Sequence, residues 1–313
     1  MRIAYLGTPE FAVPALDALA AAGHALVAVV AQPDRPAGRG QALRRPATKV
    51  WAEGHGVPVL QPEKVRDGAL ARELAALRPD VLAVAAYGRI LGRDLLELAP
   101  HGAVNVHASL LPRWRGAAPI QWSIAYGDAE TGVTIMRMDE GLDTGDVLLQ
   151  RVEKIRPGDD AETLSERLAD LGGAALVEAL ALLERGELVP VRQDAAKATR
   201  ARPLEREDGR VDWTRGAQAI ANRLRGFTPW PGAFTQLLGK PLKLLEARPA
   251  PPAALPAGAA PGHAVAVPTK GVLVACGGGT ALLVTRVQPE GRPMVAAADW
   301  ANGLRARTFT LGT

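Results

Sequence analysis

The first 150 residues alternate short apolar segments with segments of helical periodicity, and this alternation restricts the fold more than any other feature of the chain. Near-continuous apolar strands separated by helices are typical of a parallel sheet that is covered on both faces. The predicted strands lie at residues 2–6, 25–31, 81–86, 103–106 and 131–136, with helices at 12–22, 69–77 and 120–126. A further strand at 147–155 and a long helix at 161–185 follow. We therefore expect an open, doubly wound α/β domain over residues 1–189.

The sequence pattern changes after Gly186. Residues 190–208 are polar and predict an exposed linker. A short helix is expected at 215–224, and strand-like segments follow at 233–238, 242–245, 264–267, 271–275 and 281–287. Turns rich in Pro and Gly separate these segments. Many short strands with such turns predict a small β-barrel, which we place at residues 209–313.

Composition limits the class of protein. Cys276 is the single cysteine, so an intramolecular disulfide is excluded and a thiolate metal site is disfavoured. No apolar segment approaches the roughly 20 residues that a membrane-spanning helix needs. The first residues enter a strand-like segment directly, without the pattern of a signal peptide. These features predict a cytoplasmic protein.

Charge is distributed unevenly along the chain. Residues 1–189 contain 20 Lys and Arg against 25 Asp and Glu, whereas residues 190–313 contain 17 against 8. A basic region of this kind is the electrostatic footprint of a nucleic-acid-binding protein. An arginine-rich composition that fills exposed positions is the alternative explanation. The charge pattern favours a polyanionic partner for the C-terminal region.

Three segments follow predicted strands, where open α/β sheets bind their ligands. Gly7-Thr8-Pro9 has a single glycine and lacks the fingerprint of a dinucleotide site, so it is either a packing turn or a substrate contact. In the second segment, Asn105 and His107 point to the same face of their strand. An amide and an imidazole on one face can stabilise an oxygen that gains negative charge during acyl transfer. A histidine that is only structural is the alternative.

The third segment is a glycine-rich acidic loop at residues 139–146. A carboxylate from this loop, which contains Asp139, Glu140, Asp143 and Asp146, could orient a nearby histidine and stabilise its charged form. A Ca²⁺ or Mg²⁺ site is the alternative, but the loop lacks the spacing of a known metal loop. No nucleophile in a strand–turn–helix elbow is present in the sequence. We predict no metal site.

Asn105, His107 and Asp143, with the sequence Ser109-Leu110-Leu111-Pro112 between them, resemble the 10-formyltetrahydrofolate-dependent formyltransferase family. Within that family the resemblance is greatest to the members that formylate methionyl-tRNA, and it spans nearly the whole chain. The other segments that carry it are 32–40, 113–121, 132–145, 211–213 and 229–231. The sequence departs from the family pattern at Gln41 and Ala42, and at Arg200 and Pro203.

The resemblance implies a Rossmann-like N-terminal domain that binds folate and a C-terminal barrel similar to an OB fold that holds tRNA. It implies that Asn105, His107 and Asp143 are catalytic, and that Arg39 lies in a loop that approaches initiator tRNA. The folate-binding residues that it implies are Ser109, Leu110, Leu111 and Pro112. The implied substrates are 10-formyltetrahydrofolate and methionyl-initiator tRNA, with tetrahydrofolate as a product, and we expect a monomer without a membrane partner.

Two other functions compete with this interpretation. An enzyme with the same chemistry could act on a small amine, such as a sugar nucleotide or a purine precursor, but it would need neither a basic second domain nor the Arg39 loop. A nucleic-acid-binding module could instead use the Rossmann-like half as a scaffold. In that case no folate would bind, and Asn105, His107 and Asp143 would be incidental.

Overall fold

The computed structural model describes residues 1–37, 42–304 and 306–312, with the side chains of Ala37 and Ala42 left aside. The chain forms two compact units. Unit 1 comprises Met1–Pro119, Glu130–Lys154 and Ser165–Arg202, and unit 2 comprises Ile120–Ala129, Ile155–Leu164 and Pro203–Thr313. The domain limits that the sequence places at residues 189 and 208 stay predictions.

Unit 1 is built on a seven-stranded sheet with two small sheets beside it. Its strands are β1 (Arg2–Gly7), β2 (Ala25–Val30), β3 (Arg35–Ala37), β4 (Ala42–Arg44), β5 (Val59–Leu60), β6 (Val81–Ala85), β7 (Ala103–His107), β8 (Arg115–Gly116), β9 (Glu130–Arg137), β10 (Val147–Lys154) and β11 (Arg200–Ala201). Its helices are α1 (Val13–Ala21), α2 (Ala47–Gly54), α3 (Ala69–Leu77) and α4 (Arg93–Leu96). Two further helices, α5 (Pro119–Tyr126) and α6 (Ala161–Glu184), include residues of both units.

The main sheet of unit 1 has the order β10-β9-β7-β6-β1-β2-β5. The five strands β5, β2, β1, β6 and β7 are parallel, as the apolar segments predict. Strand β9 was expected to join this parallel set, but it runs antiparallel to β7, and β10 is antiparallel to β9. A parallel neighbour needs a crossover helix on the sheet, whereas nearly all of α5, which connects β7 to β9, belongs to unit 2.

The central strands are apolar because both of their faces are covered. Every residue of β6 is buried, as are the last five residues of β1. One apolar cluster on this sheet includes Leu6, Leu82 and Leu95, each with no exposed surface. Burial of each such side chain contributes roughly 1.5–3 kcal/mol. The buried strands therefore fix the positions of their carboxyl ends, where the loops begin.

The turn Gly7-Thr8-Pro9 has a packing role at one of these ends. A Cβ atom on Gly7 would lie 2.8 Å from Cε1 of Tyr5 and 2.9 Å from Cβ of Ala12. The hydroxyl of Thr48 also donates a hydrogen bond to the Gly7 carbonyl, at 2.8 Å. Because a side chain at Gly7 would collide with both neighbours, close packing is sufficient to explain this glycine.

Unit 2 contains an antiparallel sheet and the helices α7 and α8, besides its parts of α5 and α6. Its elements are α7 (Ala217–Gly226), β12 (Ala233–Leu237), β13 (Lys240–Ala250), β14 (His263–Val267), β15 (Gly271–Ala275), β16 (Ala281–Pro289), β17 (Val295–Ala296), α8 (Ala297–Gly303) and β18 (Thr308–Thr310). The strand order is β12-β13-β16-β15-β14-β18, with β17 beside β16. A bridge between Gln236 and Gly312 links the two ends of this order. The prediction of a small β-barrel is confirmed, and the structure shows the barrel as a curled antiparallel sheet.

The core of unit 2 lies on the inner face of this curled sheet. Trp213 is 1% exposed, and its indole Nε1 donates to Oγ1 of Thr235 at 3.1 Å. Residues of α7 and α8 complete the same apolar cluster, among them Ile220, Leu224 and Ala301. Among the helices within the described residues, none is long and apolar enough to cross a membrane.

We expect Tyr5→Phe to destabilise the protein by about 1–3 kcal/mol. Tyr5 is fully buried, and its hydroxyl donates to the Ala12 carbonyl at 2.6 Å, so the substitution leaves a buried carbonyl without its donor. Urea denaturation measures the change. Tyr126→Phe, at a side chain that is 66% exposed, is the control and should change stability by less than about 0.5 kcal/mol. Equal effects of the two substitutions would contradict the role of the Tyr5 hydroxyl.

Candidate active site

Strand β7 presents the two central side chains of the site. Asn105 and His107 lie two residues apart, so both side chains project from the same face of the sheet. In the adjacent strand β9, Met136 lies opposite Asn105 and Thr134 lies opposite His107. His107 is 5% exposed, whereas Asn105 is only partly buried. Within the described residues the Asn105 amide has no hydrogen-bond partner, so it is available to a ligand.

Two groups fix the His107 ring. Its Nε2 lies 2.9 Å from the Trp114 carbonyl, and a carbonyl can only accept, so Nε2 carries a hydrogen. Its Nδ1 lies 3.7 Å from Oδ2 of Asp143. That distance is too long for a hydrogen bond but short enough for the carboxylate to stabilise positive charge on the ring. The structure therefore brings together His107 and Asp143, and it adds the Trp114 carbonyl as the group that orients the ring.

The Trp114 carbonyl is held in place by the backbone conformation and the contacts of Trp114. The backbone of Trp114 has a φ of 62°, which is rare for a bulky residue and costs about 1–3 kcal/mol. Its N–H donates to Oγ1 of Thr199 at 2.8 Å, and the guanidinium of Arg113 lies 4.5 Å from the centre of its ring. The buried indole and these contacts keep the carbonyl directed at His107.

Asp143 lies in the tight loop between β9 and β10. Its φ of 52° is left-handed, and its Oδ2 accepts a hydrogen bond from the Gly116 N–H at 2.8 Å. A Cβ atom on Gly145 would lie 1.8 Å from the Arg137 carbonyl, so only glycine fits there. The hydroxyl of Thr144 donates to Oδ1 of Asp139 at 2.7 Å. The loop is thus a compact turn that directs one carboxylate inward.

Gln193 holds the same loop from the other side. Its Nε2 donates to the carbonyls of Asp143 and Gly145, at 2.9 Å and 2.7 Å. Its Oε1 accepts from Nε and Nη2 of Arg115, at 3.0 Å and 2.7 Å. The strand pair β8–β11 lies next to these contacts. Gln193 falls in residues 190–208, which the sequence predicts to be an exposed linker, yet it is only 9% exposed.

The segment Ser109-Leu110-Leu111-Pro112 follows β7 directly. Ser109 has no exposed surface, and its hydroxyl donates to the Arg113 carbonyl at 2.6 Å. Leu111 is buried as well, whereas Leu110 and Pro112 are partly exposed. The Ser109 side chain thus stabilises the loop internally, and contact of these four residues with folate stays a prediction.

Thr134 and Gln150 attach this segment to the sheet. The hydroxyl of Thr134 donates to the Ser109 carbonyl at 2.6 Å and accepts from the Leu111 N–H at 3.1 Å. Nε2 of Gln150 donates to the Leu111 carbonyl and to Oγ1 of Thr134, both at 2.9 Å. These contacts fix the backbone of the loop next to Asn105 and His107.

The remaining predicted features lie elsewhere. Arg39 and Gln41 lie outside the described residues, between β3 and β4. Burial raises the pKa of the Cys276 thiol to about 11, so this buried cysteine is a poor nucleophile. Within the described residues no group of three or more His, Cys, Asp or Glu side chains could hold a metal ion.

Two cavities flank the acidic loop of unit 1. One, of about 590 Å³, is lined by residues that include Arg93, Glu97, His101 and Glu140. The other, of about 370 Å³, is lined by Thr144 and Gly145 and by three arginines, Arg115, Arg137 and Arg192. Asp139 and Asp146 also line the second cavity, so its wall carries charges of both signs.

Sequence patterns did not identify several residues that shape the site. Gln193, Arg115, Thr134 and Gln150 act through contacts between segments distant in sequence. The Trp114 carbonyl contacts His107, which lies seven residues before it. A weak signal existed for Trp114, Arg115 and Thr134, which lie in segments that carry the family resemblance. Every residue has a backbone carbonyl, and an isolated glutamine belongs to no motif, so a sequence pattern cannot identify either as part of a site.

Comparison with known proteins gives two family matches. The formyl transferase family matches residues 1–180, and the formyl transferase C-terminal domain matches residues 203–305. The first match covers β1 to β10 and therefore includes Asn105, His107 and Asp143. The second covers α7, α8 and β12 to β17.

Individual proteins agree with these matches. The methionyl-tRNA formyltransferase of Anaeromyxobacter sp. (strain K) is 73% identical over the whole of both chains. That of Citrifermentans bemidjiense is 48% identical over 97% of this chain and 94% of its own. The solved structure of the N-formyltransferase from Helicobacter canadensis, in complex with folinic acid and dTDP-3-aminofucose, has a TM-score of 0.65 at 15% identity. That match covers 92% of this chain and 98% of the other, and it shows a shared fold.

We expect Thr134→Val to loosen the loop that begins at Ser109. The substitution keeps the shape of the side chain but leaves the Ser109 carbonyl and the Leu111 N–H without their partner, at a cost of about 1–3 kcal/mol. Hydrogen exchange at the Leu111 amide, followed by NMR or mass spectrometry, should become about tenfold faster or more, since 1.4 kcal/mol corresponds to a factor of ten.

Thr131→Val is the matched control, because Thr131 lies in the same strand and is 2% exposed. Its hydroxyl is buried without a hydrogen-bond partner among the described residues. Its replacement should therefore be neutral or stabilising and should leave exchange at Leu111 unchanged. Similar exchange rates in the two variants would show that the Thr134 hydroxyl does not hold the loop.

Proposed function

The chain belongs to the formyl transferase family, and we propose that it transfers the formyl group of 10-formyltetrahydrofolate to the amino group of methionyl-initiator tRNA. The observation that carries this proposal is the approach of His107 to Asp143, 3.7 Å apart. His107 lies in the same strand end as the amide of Asn105, which has no hydrogen-bond partner among the described residues. The acceptor is supported by the names of the Anaeromyxobacter and Citrifermentans relatives. The products are N-formylmethionyl-tRNA and tetrahydrofolate.

The residues of the site fit a formyl donor. Formyl transfer passes through a tetrahedral arrangement in which the formyl oxygen becomes negatively charged, and such an oxygen needs hydrogen-bond donors. The Asn105 amide is available for this role. The site thus contains a polar group that a bound ligand could satisfy.

In the proposed mechanism, Asn105 positions the formyl oxygen and donates a hydrogen bond to it. The methionyl nitrogen forms a bond to the formyl carbon and loses a proton, and the bond from that carbon to the folate nitrogen breaks as this nitrogen gains a proton. His107 assists the proton movement through Nδ1, because Nε2 is engaged by the Trp114 carbonyl. Asp143 stabilises the positive charge that His107 acquires.

The protein recognises the tRNA mainly through electrostatic attraction between basic side chains and phosphates. The 17 Lys and Arg against 8 Asp and Glu of residues 190–313 supply a basic surface for the phosphates. Arg39 would contact the acceptor end from the loop between β3 and β4. The proposal includes a cytoplasmic location, where charged tRNA is found, and action as a monomer.

Two alternatives predict different behaviour. An enzyme acting on a small amine would formylate a sugar nucleotide or a purine precursor at least as well as methionyl-tRNA. A nucleic-acid-binding module would not bind folate at all. Isothermal titration calorimetry with a folate analogue separates the module from both enzymes, and comparison of kcat/KM for the two kinds of amine separates the enzymes from each other.

We predict that Asn105→Ala and His107→Ala each lower single-turnover formylation of methionyl-tRNA by about 10²–10³-fold, because each removes a group that stabilises the transition state. Rapid-quench assays with saturating 10-formyltetrahydrofolate measure the rate. His55→Ala, at an exposed histidine that stacks on Trp51, should retain the wild-type rate.

Circular dichroism and folate-analogue binding check that the two variants fold. Near-normal rates in both Asn105→Ala and His107→Ala would exclude the proposed catalytic roles. Loss of folding in either variant would be detected before the rates are interpreted, and Asn105→Asp or His107→Gln would then replace it.

We predict a steep dependence of tRNA binding on salt. Between about 50 mM and 200 mM salt, the Michaelis constant for methionyl-tRNA should rise about tenfold or more, because phosphate contacts release counterions. The Michaelis constant for 10-formyltetrahydrofolate should change by less than about twofold, because few charged contacts are assigned to it. Steady-state kinetics with each substrate varied in turn measure both values. Equal salt dependence would contradict the assignment of tRNA binding to the basic region.

A further inference from the structure

We propose that Gln193 is a positioning residue that holds Asp143 where its carboxylate faces His107. This inference rests on the proposed function, because it concerns the same catalytic trio. Gln193 does not contact His107 itself. It contacts the backbone on both sides of Thr144, and through that backbone it sets the direction of the Asp143 side chain.

The contacts of Gln193 use the full hydrogen-bonding capacity of its amide. Both hydrogens on Nε2 are donated, to the carbonyls of Asp143 and Gly145, and Oε1 accepts from two nitrogens of Arg115. An amide has two donors and two acceptor positions, so each is used. The opposite orientation would place the NH₂ group against arginine donors and the oxygen against carbonyls. The direction of the amide is therefore fixed by its partners.

The backbone that Gln193 holds is not in a relaxed conformation. Asp143 has a φ of 52°, a left-handed value that aspartate adopts more readily than most residues but still at a cost. Such conformations persist only where the surroundings fix them, and they concentrate at functional sites. The hydrogen bond from Gln193 to the Asp143 carbonyl, at 2.9 Å, supplies one such restraint.

A closed ring of contacts connects this restraint to the carboxylate. Gln193 binds the carbonyl of Asp143, and the Asp143 Oδ2 accepts from the Gly116 N–H at 2.8 Å. Gly116 follows Arg115 in the chain, and the guanidinium of Arg115 donates hydrogen bonds to Oε1 of Gln193, which closes the ring. A Cβ atom on Gly116 would lie 2.5 Å from the Ala201 carbonyl, so β8 and β11 approach too closely for a side chain there. Main-chain and side-chain atoms of Asp143 are thus fixed from opposite directions.

The contacts that position Asp143 are separate from those that hold the predicted folate-binding loop. Removing the Gln193 amide frees the Asp143 loop, and Oδ2 no longer remains 3.7 Å from Nδ1 of His107. Displacement of a catalytic group by about 1 Å can lower the rate about 10²-fold. The loop that begins at Ser109 is held separately, by Thr134 and Gln150, so its geometry is retained. The expected loss is therefore in kcat and not in the Michaelis constants.

The test is a double-mutant cycle of Gln193→Met and Asp143→Ala, with formylation of methionyl-tRNA by the full chain as the readout. Met keeps the length and volume of the side chain but removes its donors and acceptors. Gln193→Met should lower kcat by about 10–100-fold and change both Michaelis constants by less than about twofold. In the Asp143→Ala background, the same substitution should change kcat by less than about twofold, because its target carboxylate is gone.

Gln61→Met is the matched control. Nε2 of Gln61 donates to the Gln32 carbonyl and to Oδ1 of Asp34, and its Oε1 accepts from Nζ of Lys49, so this side chain has a similar set of contacts in the same unit. Thermal denaturation should show similar losses of stability in Gln61→Met and Gln193→Met. Only the Gln193 variant should lose most of its kcat.

Three outcomes would overturn the inference. They are a wild-type kcat in Gln193→Met, an undiminished effect of that substitution in the Asp143→Ala background, and an equal loss of kcat in Gln61→Met. Gln193→Glu serves if Gln193→Met does not fold, since a carboxylate keeps Arg115 as partner but cannot donate to the two carbonyls. A wild-type kcat in Asp143→Ala alone would instead contradict the catalytic role of Asp143 in the proposed function, whichever result Gln193→Met gives.

Discussion

The approach of the Asp143 carboxylate to His107 is the interaction on which the site depends. It is a contact between the end of a buried parallel strand and a loop that follows an antiparallel one. The strand end is rigid because β7 lies between β6 and β9, with hydrogen bonds on both sides. The acidic loop, residues 139–146, lies between β9 and β10 and is not part of a strand ladder. Its geometry comes from a left-handed residue, from glycines that no other residue could replace, and from the side chain of Gln193.

The two ring nitrogens of His107 have different partners, and this difference shapes the chemistry. Nε2 donates to a carbonyl that belongs to Trp114, whose backbone is itself left-handed. Nδ1 faces a carboxylate without forming a short hydrogen bond. The ring is therefore fixed in direction by a neutral partner, whereas the charge of Asp143 acts on the nitrogen that remains free to exchange a proton. A single carboxylate bonded to Nδ1 could fix the ring, but it would occupy the nitrogen that the proposed mechanism uses for proton transfer.

The segment of residues 190–208, which the sequence predicts to be a linker, contributes to the candidate active site. Its residues Gln193, Thr199 and Ala201 contact the acidic loop, the Trp114 N–H and the β8 strand. The compact unit that contains the candidate site accordingly extends to Arg202, beyond the end of the long helix. A polar composition predicted exposure for these residues, but a polar side chain can also be buried when partners satisfy it. Gln193 is such a case, because all its donors and acceptors are used.

The sequence by itself determined the parallel part of the main sheet, the β-rich C-terminal domain and the family. Buried strands must be apolar throughout, and a strand end followed by Asn105, His107 and the Ser109 segment forms a pattern that is long enough to identify. The sequence could not determine the antiparallel direction of β9, because that direction depends on whether the helix before it crosses the sheet. The tertiary structure alone decided the surroundings of Asp143 and His107. The Gln193 amide comes from a distant segment, and the Trp114 carbonyl is directed at His107 by a left-handed backbone. Residue spacing in the sequence specifies neither the distance nor the direction of these contacts.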